Sequence, residues 1–155
     1  RYQSAIIHYL HRLTGDNDLA ADLAQDTFIQ AYQGLIKSNA EINLRPWLYR
    51  IASNNAWQYW RRRRLLSLVP FSRFKQPPEP LVYSVGNPDD EKLVIKDVIS
   101  KIPLEQRTCL ILHYAEGLKY REIADILNIS EEAVRKRVSR GKKVFLKHYN
   151  KGDVE

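Results

Sequence analysis

Five of the chain's seven prolines fall within one stretch, at Pro70, Pro77, Pro78, Pro80 and Pro88. A proline fixes its own φ, removes a backbone donor and pushes the residue before it out of helical geometry, so such density opposes both helix and sheet. Leu68 to Pro88 therefore reads as an extended linker, stiffened where Pro77-Pro78-Glu79-Pro80 favours polyproline geometry. A chain of 155 residues divided in this way leaves two flanks of roughly 60 residues each. Units of that size bury modest cores and are marginal alone, so partners should matter to their stability.

Both flanks carry helical periodicity. Ala20, Leu23, Thr27, Ala31 and Leu35 recur at three- and four-residue steps and mark one face of a helix. Trp47, Ile51, Asn54 and Asn55 lie on a second helix, which Pro46 can occupy in its first turn. Beyond the linker, Leu93 to Ile102 is apolar at helical spacing and Pro103 interrupts it. Leu104 to Ala115 predicts another helix, stopped at Glu116-Gly117. No alternating run is long enough for a sheet. The expected fold is all-α: two small helical domains joined by an extended proline-rich linker.

Charge is distributed in the same pattern. The formal net charge is +7, with nine Lys/Arg against five Asp/Glu in residues 1–64 and thirteen against nine in residues 93–155. Residues 65–92 hold three against four. Two basic ends around a near-neutral middle suit an extended polyanion touched at two places.

Tyr120 to Leu146 is the most informative stretch. A short helix, Tyr120 to Leu127, is expected to pack inward through Ile123, Ala124 and Leu127, with Ala124 small because a crossing helix approaches there. Asn128 is tolerated at a left-handed turn, Ile129 fills the turn core, and Ser130 caps a second helix whose positive end suits Glu131 and Glu132. Val134, Val138, Gly141 and Phe145 form the buried stripe of that helix. From Arg135 to Lys147 there are seven bases and no acid. A solvated basic face explains a charge run alone, but the small residue, turn and cap at these offsets make a helix-turn-helix, with the second helix entering the major groove.

Arg50 to Arg64 reads RIASNNAWQYWRRRR. Trp57, Tyr59 and Trp60 precede four consecutive arginines, and Asn54 and Asn55 offer amides. Aromatic stacking on unpaired bases beside backbone-binding cations suits melted DNA. At helical spacing the same tryptophans also suit a core, and both readings stand at this level. A third surface, Asp22, Gln25, Asp26 and Ile29, is a mixed stripe fit for a protein partner or for plain solvent exposure.

Together these stretches resemble the extracytoplasmic-function (ECF) sigma factors, group IV of the sigma-70 family. LTGDNDLAADLAQDTFIQAYQGL resembles sigma region 2.1–2.2, RPWLYRIASNNAWQYWRRRR resembles regions 2.3–2.4, and IPLEQRTCLILHYAEGLKYREIADILNISEEAVRKRVSRGKKVF resembles region 4. The order of these segments across a short linker, with no domain between them, is the most specific part of the likeness. The resemblance implies sigma region 2 over residues 1–66, a linker over 67–92, region 4 over 93–150 and a tail over 151–155. It implies that Asp22, Gln25, Asp26 and Ile29 meet the β′ clamp helices of core RNA polymerase, and that region 4 also meets the β flap. It implies single-strand contacts to the −10 element by Asn54, Asn55, Trp57, Gln58, Arg61 and Arg62, with the loop Ser38 to Asn43 as a base pocket. Duplex contacts to the −35 element then fall to Ser130, Glu131, Arg135, Lys136, Arg137, Ser139, Arg140 and Lys143. An anti-sigma factor is implied as a further partner. Gln58 stands where many members have Asp, and Asn128 replaces the common turn glycine.

The implied function is promoter recognition, strand opening and transcription initiation in the bacterial cytoplasm, without catalysis, cofactor or metal. A free helix-turn-helix regulator binding duplex operator DNA is the nearest alternative. An enzyme is disfavoured: His8, His11, His113 and His148 form no metal or nucleophile motif, and no Gly-rich phosphate loop is present. Cys109, the single cysteine, sits in an apolar helical run and permits no disulfide framework. No stretch approaches the roughly 18 apolar residues of a membrane span, and no signal peptide is visible. The absence of methionine leads to the expectation that residues precede Arg1.

Overall fold

The structure, a computed structural model, describes residues 1–67 and 90–152. The expected linker Leu68 to Pro88 lies outside the described residues. The described chain is helical, with no strand: α1 (Gln3–Thr14), α2 (Asn17–Lys37), α3 (Leu44–Ser67), α4 (Asp90–Ser100), α5 (Leu104–Leu110), α6 (Tyr120–Leu127) and α7 (Glu131–Gly152). A π-helical turn, Ile111–Ala115, continues α5.

The α1–α2 corner follows from two residues. Gly15 takes the left-handed conformation, φ 72°, and donates its N–H to His11 O at 2.8 Å, closing α1. Asp16 then caps α2, its Oδ1 accepting from the backbone N–H of Asp18 and of Leu19 at 2.9 and 3.1 Å. On α2 the stripe Ala20, Leu23, Thr27 and Ala31 is buried as its spacing predicts, with Ala24 beside it. Leu35 departs from that expectation and is exposed. By this point α2 has outrun the shorter α1, and Gly34, not Leu35, faces Trp47 of α3. From α3, Leu48, Tyr49, Ala52 and Ala56 close the core around Ile6, Tyr9, Leu10 and Leu13 of α1.

In the C-terminal half, Val98, Ile102, Cys109, Leu112, Leu118, Ile123, Val134 and Val138 are buried. The helix expected over Leu104 to Ala115 changes register at Ile111: Glu116 donates its N–H to Ile111 O at 3.0 Å, five residues back. Gly117, φ 72°, ends the turn where Glu116-Gly117 was expected to stop it. The α7 stripe is confirmed at Val134, Val138 and Gly141, with Phe145 half-buried and stacked on Tyr149. Gly141 has a specific reason to lack a side chain, since a Cβ there would lie 2.6 Å from Leu110 Cδ1 of α5.

The two flanks do not stand apart. Their buried residues join in one cluster, α6 packs on α3, and the π turn packs on α1. The two helical domains touch, and the physical reason is on the seam itself. Each small flank leaves an apolar margin that it cannot cover alone, and helix-end carbonyls of one flank meet arginines of the other. Ile126 shows the effect locally. The one-faced reading of α6 leaves it out, yet it is buried while Leu127 is only half-buried, because α6 has a second neighbour in α3.

Candidate nucleic-acid interface

The turn between α6 and α7 has the geometry that its residues predict. Glu122 Oε1 accepts the Lys119 N–H at 3.1 Å at the start of α6. Asn128 adopts φ 55°, ψ 49°, and Ile129 returns its N–H to Ala124 O at 3.1 Å. Ser130 Oγ accepts the Ala133 N–H at 3.0 Å, satisfying one of the orphan donors that open α7. With Ala124 buried beneath the crossing, α7 is held by its inner stripe and presents its outer face to solvent.

That outer face carries Ser130, Glu131, Arg135, Lys136, Ser139, Arg140 and Lys143, all exposed. Two of the cations are loosely matched one turn back, Arg135 with Glu131 at 3.6 Å and Lys136 with Glu132 at 3.4 Å. Exposed pairs of this kind contribute about 0–1 kcal/mol, so they yield readily to a polyanion. Arg137 does not belong to this face. Two residues past Arg135 it has turned to the opposite side, where it is half-buried and lies 3.7 Å from Glu105 of α5. It packs beside Cys109, whose thiol is pushed up to about 11 by burial, a rise that the nearby Arg137 charge partly offsets.

On α3, Asn54, Gln58, Arg61 and Arg62 are exposed and follow one another at helical spacing along one stripe. Asn55 points the other way. It is 9% exposed, donates to Thr27 Oγ1 at 3.2 Å and accepts from Gln30 Nε2 at 3.1 Å, so its amide ties α3 to α2 and is not offered to a base. Trp57, Tyr59 and Trp60 are all half-buried and engaged within the chain. Trp57 is half-buried, its Nε1–H donating to Thr108 Oγ1 at 3.1 Å, and Trp60 lies under the Arg107 guanidinium at 5.6 Å. Tyr59 accepts from Arg63 at 2.6 Å. The loop Ser38 to Asn43 connects α2 to α3, with Ser38 Oγ accepting the Ala40 N–H at 3.2 Å.

On α2, Asp22, Gln25, Asp26 and Ile29 are exposed together, as one stripe. The stripe continues through Tyr32, 67% exposed, to Ile36, 66% exposed. Large apolar side chains displayed in a row beside carboxylates suit a protein partner better than a nucleic acid. Their helical spacing from Ile29 was the available signal.

The seam between the flanks is a feature that sequence reasoning missed. Glu116 is its centre: Oε1 receives Arg12 at 2.8 Å, Oε2 receives Tyr49 Oη at 2.6 Å, and its carbonyl receives Arg45 at 3.0 Å. Burial raises the Tyr49 phenol well above its ordinary value, and the carboxylate raises it further, so this proton stays on the phenol. Arg50 donates to the carbonyls of Asp125 and Ile126, at 2.6 and 3.2 Å, which the left-handed turn leaves unfilled at the end of α6. Arg107 reaches back to Leu13 O at 2.9 Å. Arg107 stands just ahead of the apolar run Thr108 to Leu112, and nothing in its sequence neighbours signals this junction.

Among the described residues, no group of three His, Cys, Asp or Glu side chains is placed to hold a metal, and no helix is long and apolar enough to cross a membrane.

Residues 1–65 match the family model for sigma-70 region 2, and residues 92–144 match that for sigma-70 region 4. Over 97% of its length the chain is 29% identical to the ECF RNA polymerase sigma factor SigM of Bacillus subtilis, covering 92% of that protein. It is 30% identical to the ECF RNA polymerase sigma-E factor of Haemophilus influenzae, across 94% of this chain and 82% of the relative. In fold it is similar to the sigma factor RpoE of Bartonella quintana, solved in complex with the anti-sigma factor NepR. That match has a TM-score of 0.74 at 24% identity and covers 96% of this chain and 91% of the other.

Proposed function

The chain belongs to the ECF group of the sigma-70 family of RNA polymerase sigma factors, and on that premise we propose how its surfaces divide the work of initiation. The stripe Asp22, Gln25, Asp26 and Ile29, extended by Tyr32 and Ile36, docks on the β′ clamp helices of core polymerase. The outer face of α7, through Ser130, Glu131, Arg135, Lys136, Ser139, Arg140 and Lys143, reads the −35 element as duplex. The stripe Asn54, Gln58, Arg61 and Arg62, joined by Trp57 once it is released from Thr108, holds the unpaired −10 strand. The chain makes and breaks no bond and acts in the bacterial cytoplasm.

The α7 face carries this reading. Exposed cations lie behind a capped N-terminus, on a helix braced from beneath by Val134, Val138 and Gly141, and that is a surface shaped for the major groove. Core polymerase holds the two units at a fixed spacing and makes two weak DNA contacts effectively intramolecular. The hydrogen bonds of Glu116, Arg50 and Trp57 across the seam oppose that spacing. Binding to core therefore separates the flanks, and an anti-sigma factor acts by keeping the chain from core.

Run-off transcription with core polymerase on a promoter library tests the reading, alongside electrophoretic shifts on duplex DNA with and without core. Initiation that requires both proteins is expected. Tight sequence-specific duplex binding by the chain alone would replace the proposal with a free helix-turn-helix regulator.

A further inference from the structure

The cations on the outer face of α7 are not all held alike. Arg135 has Glu131 Oε1 at 3.6 Å, and its guanidinium carbon lies over the ring of Tyr120, 5.8 Å from the centroid. Lys136 is matched by Glu132 at 3.4 Å, and Arg140 has no ion pair or ring contact among the described residues. Tyr120 is itself fixed in place. It opens α6, is half-buried against the core, and its ring lies 4.5 Å from that of His113, whose Nδ1 is 2.9 Å from Leu118 O. We propose that Tyr120 is a positioning residue for base recognition: its ring holds the Arg135 guanidinium toward the base edges of the −35 duplex, where Arg135 reads a guanine. This rests on the assignment of the α7 face to the −35 element.

The two groups beside Arg135 act differently once DNA arrives. A carboxylate takes the same N–H donors that a base edge would accept, so Glu131 competes with the base, and an exposed pair of this kind is weak. An aromatic ring attracts the guanidinium through its charge and leaves its donors for the base. Guanine offers O6 and N7 side by side in the major groove, and the planar fork of arginine meets them with two hydrogen bonds. A free arginine loses rotamer freedom on making that contact, and a ring that already confines it reduces the loss. Position agrees with this role. Arg135 lies one turn into α7, near the end that meets base edges, whereas Arg140 lies more than a turn further on. Because Tyr120 belongs to α6, the reach of Arg135 is set by the crossing of the two helices and not by α7 alone.

Run-off transcription by core polymerase with the full chain, on a library randomised across the −35 element, tests the proposal through the preference at each base pair. Guanine is expected at one pair, with a preference that Arg135→Ala reduces by roughly tenfold. Tyr120→Leu should reduce the preference at that same pair by about two- to fivefold and leave the other pairs unchanged, and Tyr120→Phe should keep it. In the Arg135→Ala chain, Tyr120→Leu should have no further effect. Circular dichroism melts identify a variant that has lost its fold, and Tyr120→Met then takes the place of Tyr120→Leu. Equal losses at every pair in the folded leucine variant would mark a packing role and overturn the proposal. A loss in Glu131→Gln with Tyr120→Leu unchanged would overturn it in favour of the carboxylate. If Arg135→Ala alters no preference, the reading of the α7 face fails as well; if Arg135→Ala acts and Tyr120→Leu does not, the positioning role alone falls.

Discussion

Tyr49 Oη donates a 2.6 Å hydrogen bond to Oε2 of Glu116, joining residues 67 positions apart on α3 and just past the π turn. Arg12 reaches the other oxygen of the same carboxylate, whose side chain is 8% exposed. One acidic residue of the C-terminal flank is thus gripped by two helices of the N-terminal flank. Hydrogen bonds to charged groups contribute about 1.5–3 kcal/mol when solvent is kept away. Glu116→Gln should lower the unfolding free energy by about 1–3 kcal/mol in urea denaturation. A double-mutant cycle with Tyr49→Phe should return a coupling of about 0.5–3 kcal/mol; additive effects would show that the pair does not hold the seam.

Gly34 lies against Trp47, where an added Cβ would sit 2.8 Å from ring carbon Cζ2. Alanine in place of glycine adds about 1 kcal/mol of helix stability at an open site. Overpacking against a rigid ring costs about 1–3 kcal/mol. Gly34→Ala should therefore lower the melting temperature, and Trp47→Leu in the same chain should recover much of the loss. A stabilised Gly34→Ala would mean that α2 and α3 are not so close.

Asn128 holds φ 55° in the turn between α6 and α7. A left-handed conformation costs a typical L-residue about 1–2 kcal/mol. Asn128→Val should destabilise the chain by about that amount, and Asn128→Gly should leave it near the wild type. Equal thermal midpoints for the valine and glycine variants would remove the turn from the account.

Arg140 is exposed on the outer face of α7, whereas Arg137 is half-buried against α5. In promoter binding by the chain with core polymerase, Arg140→Ala should weaken affinity and lower the salt slope by about 1. Arg137→Ala should instead lower stability and leave the salt slope of the folded fraction unchanged. Reversed outcomes would place the DNA-facing side of α7 wrongly.

His11 titrates below its ordinary value of 6.5 in the folded chain, chiefly through burial. As pH falls below that value the unfolded chain takes up the proton first, so stability is present above it and is lost as pH drops toward the folded pKa. Replacing His11 with Asn should flatten this part of the stability profile in urea titrations between neutral and mildly acidic pH. An unchanged slope would assign the pH dependence to other groups.

Much of the helix-turn-helix was legible because its signals are local. Asn128, Ser130 and the stripe Val134, Val138, Gly141 each act within a few residues of their own position, through backbone conformation, capping and periodicity. The exposed stripe of α2 was legible for the same reason. The inward contacts of Asn55 and Arg137 were not legible, because the face a side chain takes depends on which neighbour its helix meets. Trp57 shows the same limit: its spacing is shared by core and stacking roles, and its bond to Thr108, 51 residues away, is not written in that spacing.

What the sequence determined by itself was therefore helical class, the turn at Asn128 and the cap at Ser130, since propensity and backbone sterics operate over a few residues. What only the tertiary structure decided was the meeting of the two flanks. Glu116, Arg50 and Arg107 look like ordinary surface charges until distant carbonyls and hydroxyls come within hydrogen-bonding distance. The free energy of such contacts depends on burial and geometry, and neither exists before the helices have packed.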